Sequence, residues 1–571
     1  MHRRPTNFKL TDLTVNIPSS NRQALTTSTS TSSKQLAQPR WNTLEFKVYY
    51  AVVLLVLPIM IWIPVSLSSK SHSNFPFYRS RLEEGWIPGR LIDNSDAQYR
   101  SFRNNVPLLS VAVLAHLATK YIASALSKSP PSSQTRKPSS VPSSLTFNLI
   151  FALSAVTILH GLNALKVLLI LFLNYSIAKY FKGSKMNVLA VWIFNGAVLL
   201  GNEVFEGWKL GQWFEGLAWL DSFAGIYPRW NISFNITMLR LVSFSMDYYW
   251  ACNRNGKEEG VEAIKEISEK QRQSIAHPDS VYSFANFVAY ALYPPLYLAG
   301  PIITFNDFMW QHRYPHKQAP TSTPIRTYIV RFVISFLTME CIQHFMWVVA
   351  IKDRKAWVGL TPAQISMVGF WNLIIVWLKL LIPWRFFRLW ALLDGVDPPE
   401  NMVRCMANNY STMGFWRSWH RSYNLWIIRY IYIPLGGAKN VIMNTILVFS
   451  FVALWHDLTF RLLAWGWLVS LFIIPELLAR WLIPSTKYER TTWYRHVAAL
   501  GAVGNVLMMM GANLVGFVIG TDGAQFFVGE LFGTGQGLRF LMGAVACLFV
   551  GVQLMFEYRE EEHRQGIQRR C

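Results

Sequence analysis

Cysteine is scarce in this chain of 571 residues: there are five, Cys252, Cys341, Cys405, Cys547 and Cys571, widely spaced and with no CxxC among them. That spacing indicates neither a zinc site nor a disulfide framework. Charge is scarce too. Asp, Glu, Lys and Arg make up 15% of the residues, against roughly 25% in soluble domains, so the chain is short of water-facing surface. Acids are the rarer sign, with 32 Asp and Glu against 54 Lys and Arg and a net charge of +22. In a soluble protein that excess would point to nucleic acid. Here the basic residues mostly flank apolar runs, where they suit anionic headgroups and the positive-inside rule, and no RNA- or DNA-binding signature interleaves with them. No repeat at solenoid period is present. Nor is there a matched pair of broken helices of the kind that marks an inverted-repeat transporter. Residues 1–43 are rich in Ser and Thr and hold no apolar core. No cleavable signal peptide is expected, and the first span is expected to serve as an uncleaved signal anchor.

Apolar residues are abundant: 52% of the chain is hydrophobic, with 24 Trp and a mean hydropathy of +0.22. Apolar windows lie near 48–67, 106–126, 145–161, 164–181, 186–201, 328–351, 366–383, 441–455, 458–483, 496–520 and 538–556. They predict an all-α polytopic membrane protein with about ten to twelve spans, plus re-entrant or interfacial helices. Residues 1–43 read as a disordered basic tail, 44–126 as N-terminal spans with a polar loop, and 127–144 as a Pro/Ser linker. A membrane-embedded core follows over 145–556, then a charged C-terminal tail over 557–571. The stretch 252–280 is a hydrophilic insertion, and "EVFEGWKLGQWFEGLAWLDSFAGIYPRW" (203–230) is too polar to span and too apolar to be free, so it reads as an interfacial helix. Four Asn-x-Ser/Thr sequons, at Asn174, Asn231, Asn235 and Asn409, lie in or beside apolar segments and read as chance occurrences.

Chemistry concentrates in "NMVRCMANNYSTMGFWRSWHRSYNLWIIRYIYIPLGGAKN" (401–440), which is apolar yet carries Arg404, Arg417, His420, Arg421, Asn424, Arg429 and Lys439. At helical spacing Trp416, Trp419, Tyr423, Ile427 and Tyr430 share one face, with His420 at its edge, Asn424 one turn on, and Arg421 and Arg429 pointing away. "IPLGG" ends the helix, and irregular backbone at membrane depth is tolerated only against protein or a water-filled cavity. The next run, "FSFVALWHDLTFRLLAWGWL" (449–468), places His456 after Trp455 in an apolar helix. An unpartnered imidazole in hydrocarbon costs several kcal/mol. His456 therefore either sits near a membrane boundary on a backbone carbonyl or acts as a base in a buried chamber.

"FWRSWHRSYNLWIIRYIYIPLGG" followed by "FSFVALWHDLTFRLLAWG" resembles the signature pair of the membrane-bound O-acyltransferase superfamily. "YLAGPIITFNDF" (297–308) and "MLRLVSFSMDYYW" (238–250) are similar to two further segments of that family, in the same order over roughly residues 190–480. The wording around His420 and the C-terminal "EYREEEHRQGI" are closest to the glycerol-uptake-protein branch, related to Hedgehog and Wnt-type acyltransferases. The resemblance implies the family's fold around a central catalytic chamber. It also implies transfer of a long acyl chain from acyl-CoA, the donor substrate, to a hydroxyl, with no tightly bound cofactor and no metal. The acceptor it implies is the sn-2 position of lyso-phosphatidylinositol in fungal glycosylphosphatidylinositol (GPI) anchors. Implied partners are acyl-CoA, a lysolipid or GPI-anchored protein, and membrane lipids. The implied location is the endoplasmic reticulum membrane, with the plasma membrane as a second.

The residues expected to carry this chemistry are His456 as the base and His420, with Asn424 beside it, as the orienting or donating group. Arg417 and Arg421 are candidates for the CoA phosphates, and equally for positive-inside anchors; Trp416, Trp419 and Trp455 are candidate walls of an acyl tunnel, and equally plain packing. Competing readings are a membrane transporter linked to glycerol uptake, an acyltransferase for another lipid or a protein acceptor, and a non-catalytic scaffold.

Overall fold

A computed structural model describes residues 38–126, 143–254, 269–315, 324–456, 460–489 and 491–567. Most of the tail expected over 1–43, nearly all of the 127–144 linker, much of the 252–280 insertion, and Asp457 and Cys571 lie outside the described residues.

The chain is built from helices: α1 Leu44–Leu67, α2 Ala97–Leu126, α3 Ser143–His160, α4 Asn163–Phe181, α5 Lys185–Val204, α6 Trp230–Asn253, α7 Phe284–Ala291, α8 Phe305–Arg313, α9 Ile325–Phe345 and α10 Pro362–Leu393. Then come α11 Thr412–Ser418, α12 Arg421–Ile427, α13 Val441–His456, α14 Phe460–Leu482, α15 Tyr494–Asn513, α16 Gly520–Phe532 and α17 Gly535–Arg564. Among the described residues the sheet is confined to two antiparallel two-residue strands, Glu83–Glu84 and Leu91–Ile92. Among the described residues eight helices are long and apolar enough to cross a membrane, and 144–160 and 443–456 form shorter apolar helices. This is an all-α polytopic membrane protein. The window near 328–351 differs from a simple span, because α9 ends at Phe345 and a short helix restarts at Val348.

The outward faces are apolar, as lipid demands, with Leu54, Trp62, Leu114, Ile193 and Leu471 all exposed. Packing between helices is in part polar. Asn195 Nδ2 donates to Asn174 Oδ1 (2.8 Å) and Asn174 Nδ2 donates to Ser245 Oγ (3.0 Å), stitching α4, α5 and α6 where no water competes. Asn174 is completely buried there, while Asn235 is bonded to Trp455 and Asn409 to the Cys405 carbonyl. Glycosidase treatment is therefore expected to leave the mobility of the expressed protein unchanged on a denaturing gel; a downward shift would show that a sequon is modified.

The segment 203–230 forms not one interfacial helix but two short helical turns, 210–213 and 215–222. Extended backbone at Phe214 separates them, and Asp221 accepts from the Leu210 and Gly211 N–H groups (2.9 and 2.8 Å). Its Trp213, Phe214, Trp219 and Phe223 are exposed. Residues 557–564 continue α17 instead of forming a separate tail. Arg404 pairs in bidentate fashion with Glu562, and Arg495 and Arg564 pair with Glu557, so the helix end is clamped against the body.

α10 is the central element, and its start is strongly specified. Thr361 and Gln364 form a reciprocal capping box with Pro362 in the first turn. About it, buried polar links hold an irregular connection near the chain's middle. The Arg240 guanidinium donates to the Ala291 and Leu296 carbonyls, pinning the interruption between α7 and α8. Gly300 sits in that loop because any Cβ would collide with Leu296. Asp247 accepts from Arg429 (2.8 Å), Tyr430 (3.0 Å) and the Asn306 N–H (3.2 Å), joining α6 to the helix after α12. Asp307 pairs with Arg272 (2.6 Å) and accepts from Gln311 (3.0 Å).

Candidate active site

The face expected from one continuous helix over 416–430 does not exist. α11 stops at Ser418, Trp419 is extended, and His420 adopts a left-handed backbone (φ 45°, ψ 51°) before α12 begins at Arg421. A left-handed L-residue costs about 1–2 kcal/mol, so surrounding structure must hold His420 there. The break sorts the aromatics. Trp416 packs against Phe449 and Trp465, and Trp419 stacks on Phe415, while Tyr423, Trp426 and Tyr430 enter the core with α6. α12 then widens through Ile428–Tyr432, where Ile433 N–H reaches back to the Ile428 carbonyl (3.0 Å). The glycine turn follows as the sequence suggests, with Gly436 and Gly437 both at positive φ.

The two candidate histidines arrive from opposite sides of this turn. The His420 ring stacks on Trp384 of α10 (centroids 4.4 Å apart, 26° between planes) and lies 5.2 Å from the Tyr423 ring. His456, the last residue of α13, lies 6.4 Å from the same Tyr423 ring, edge to face. Tyr423 thus neighbours both rings. Trp455 packs on Tyr423 at 4.6 Å. Its Nε1 donates to the Asn235 carbonyl (2.9 Å), while Asn235 Nδ2 donates to the Trp455 carbonyl (3.3 Å). That reciprocal pair ties the end of α13 to α6 and fixes where His456 stands. His456 itself is exposed at the end of α13, with the Trp455 ring against it (centroids 4.7 Å apart).

The remaining candidates divide. Asn424 lies one turn beyond His420 and its N–H donates to the His420 carbonyl (3.0 Å). Trp455 is with the histidines. Trp416 has no ring contact to either histidine among the described residues. Arg417 is half-buried in the last turn of α11. Arg421 is buried, and its guanidinium meets Glu269 (Nη2 to Oε2 3.2 Å), so a phosphate there would have to share or displace that carboxylate. Two residues at the centre were not among the expected site residues. Trp384 lies in an apolar helix where spacing marks nothing. Tyr423 was visible as part of an aromatic face, but its place beside both histidines required the fold.

Residues 215–521 match the membrane-bound O-acyltransferase family, MBOAT. The chain belongs to that family. It is 45% identical over 543 residues to the membrane-bound O-acyltransferase GUP1 of Candida tropicalis, covering 93% of this chain and 90% of that protein. Against the protein of the same name in Saccharomyces cerevisiae it is 45% identical over 540 residues, covering 93% and 94%. It is also 27% identical over 257 residues to the protein-cysteine N-palmitoyltransferase HHAT of Mus musculus, covering 41% of this chain and 50% of that one. The chain is therefore an acyltransferase of the GUP branch, a multi-pass membrane enzyme that acts between an acyl donor and a lipid or protein acceptor.

Proposed function

We propose that this acyltransferase moves a long acyl chain from acyl-CoA to the sn-2 hydroxyl of a lyso-phosphatidylinositol GPI anchor, in the endoplasmic reticulum membrane. The observation that supports the chemistry most is the convergence of His456 and His420 on one ring, Tyr423, from separate helices, with His456 left accessible. An alcohol is a poor nucleophile until its proton is taken. His456 accepts that proton as the hydroxyl oxygen attacks the thioester carbonyl. The C–S bond breaks, the ester forms, and the CoA thiolate leaves and recovers the proton. His420, with Asn424 one turn on, orients the acceptor and donates to the oxygen that becomes negative. Arg417 meets the CoA phosphates at one mouth of the chamber, since a guanidinium pairs with phosphate in two-point fashion. The chamber runs through the protein, because acyl-CoA is cytosolic and the anchored acceptor faces the lumen.

The test is transfer of a labelled acyl group from long-chain acyl-CoA to lyso-phosphatidylinositol by purified protein in lipid nanodiscs. Formation of phosphatidylinositol supports the reading; acyl-CoA hydrolysis with no ester product on this acceptor ends it. Arg417→Ala is expected to raise KM for acyl-CoA about tenfold with kcat little changed, as for lost uniform binding. An unchanged KM would remove Arg417 from the donor site. The similarity to a protein-cysteine palmitoyltransferase favours a second acceptor class, a protein N-terminus. A cysteine-initiated peptide in the same assay distinguishes it, since only that reading yields an acylated peptide.

A further inference from the structure

His420 occupies the N-cap position of α12 but makes no capping hydrogen bond. The first N–H groups of a helix need acceptors from outside it, and in a membrane-embedded site water is a poor substitute. Asn401, nineteen positions earlier in the irregular stretch after α10, supplies both. Its carbonyl accepts from the Arg421 N–H (3.0 Å), and its Oδ1 accepts from the Ser422 N–H (3.2 Å). Asn401 is 1% exposed, and its Nδ2 has no partner among the described residues. Ser422 Oγ in turn accepts from the Ile302 N–H (2.9 Å), linking the same helix start to the loop that Arg240 pins.

We infer that Asn401 is a positioning residue for acyl transfer: it caps α12 in place of His420, and so holds the left-handed turn that lays the His420 ring on Trp384 and beside Tyr423. A Ser, Thr, Asp or Asn at an N-cap normally spends its side-chain oxygen on the helix. With Asn401 in that role, the imidazole is left for substrate. The inference rests on the reading of His420 as an orienting group.

The experiment compares Asn401→Ala and Asn401→Asp with native enzyme in nanodiscs, with His420→Ala alongside. Asp keeps Oδ1 and places a carboxylate at a helix N-terminus, where negative charge is favoured. The amide nitrogen it loses bonds nothing among the described residues. Ala removes Oδ1, the acceptor of the Ser422 N–H, and keeps the backbone carbonyl that accepts from Arg421. Expected is a fall in kcat of about tenfold to a hundredfold for Ala, the scale of a small misplacement, with KM for acyl-CoA unchanged and most of the activity restored in Asp. Diethylpyrocarbonate labelling read by mass spectrometry should show a changed rate at His420 in Ala, with His456 unchanged. Native turnover in Ala, a loss confined to KM, or equal impairment of Ala and Asp would overturn the inference. If Ala does not accumulate as folded protein, Asn401→Ser takes its place: Asp above Ser supports the assignment, and Asp equal to Ser overturns it. The His420→Ala control separates the two claims. Full activity in that control refutes the role of His420 itself, whereas its loss leaves the Asn401 comparison as a test of positioning alone.

Discussion

His456→Ala is expected to abolish measurable acyl transfer while expression and membrane insertion stay intact. Removing one general base lowers rates by about 10²–10⁴, which takes transfer to or below the assay's background. Folding should survive, because His456 is the last residue of α13 and the anchoring of that helix end rests on its neighbour. Trp455 makes the reciprocal bonds to Asn235 and the contact to Tyr423. The measurement is single-turnover transfer at saturating acyl-CoA, beside thermal unfolding of the purified variant. Near-native turnover in His456→Ala would sink the proposed mechanism and restore the other sequence-based reading, a histidine parked at a membrane boundary.

His420 should respond differently to two substitutions. His420→Ala removes the ring that stacks on Trp384 together with its two nitrogens, so a strong loss is expected, within the same range of about 10²–10⁴. His420→Asn should retain more activity. Asn keeps a donor at similar reach, and of the non-glycine residues it is among the most tolerant of the left-handed backbone observed there (φ 45°). Both variants are compared by kcat at saturating donor and acceptor. Equal inactivity of Asn and Ala would show that His420 itself exchanges a proton, and the orienting role would fall.

The order of the polar motifs along the chain carried much of the site. His456 after Trp455 and His420 before "RSYNLW" mark the candidate site, because a titratable ring in an apolar run demands a reason wherever the run lies. Asp247, Asp307 and Arg240 likewise stand out in "MLRLVSFSMDYYW" and "ITFNDF", though only the fold shows that they act as buried ties between helices. The break at His420 was not legible. Periodicity assumes that a helix continues until a proline or glycine stops it. "FWRSWHRSYNLW" contains neither, and the stop is imposed by Asn401, which takes the hydrogen bonds of the next helix from outside.

By itself the sequence determined that this chain lives in a membrane as helices. Low charge and apolar windows of spanning length leave the backbone no other way to satisfy its hydrogen bonds in lipid. It also determined the family, through four motifs that follow one another in the family's order. Tertiary structure alone decided which aromatics meet the histidines. Trp384 reaches His420 from a helix whose sequence marks nothing, Trp416 turns to Phe449 and Trp465, and Arg421 finds Glu269. The physical reason is common to all three. Hydropathy and helical period report how a residue relates to lipid and to its own helix, whereas a site is made where separate helices cross. Those crossings are set by side-chain packing and by buried hydrogen bonds between residues far apart in the chain.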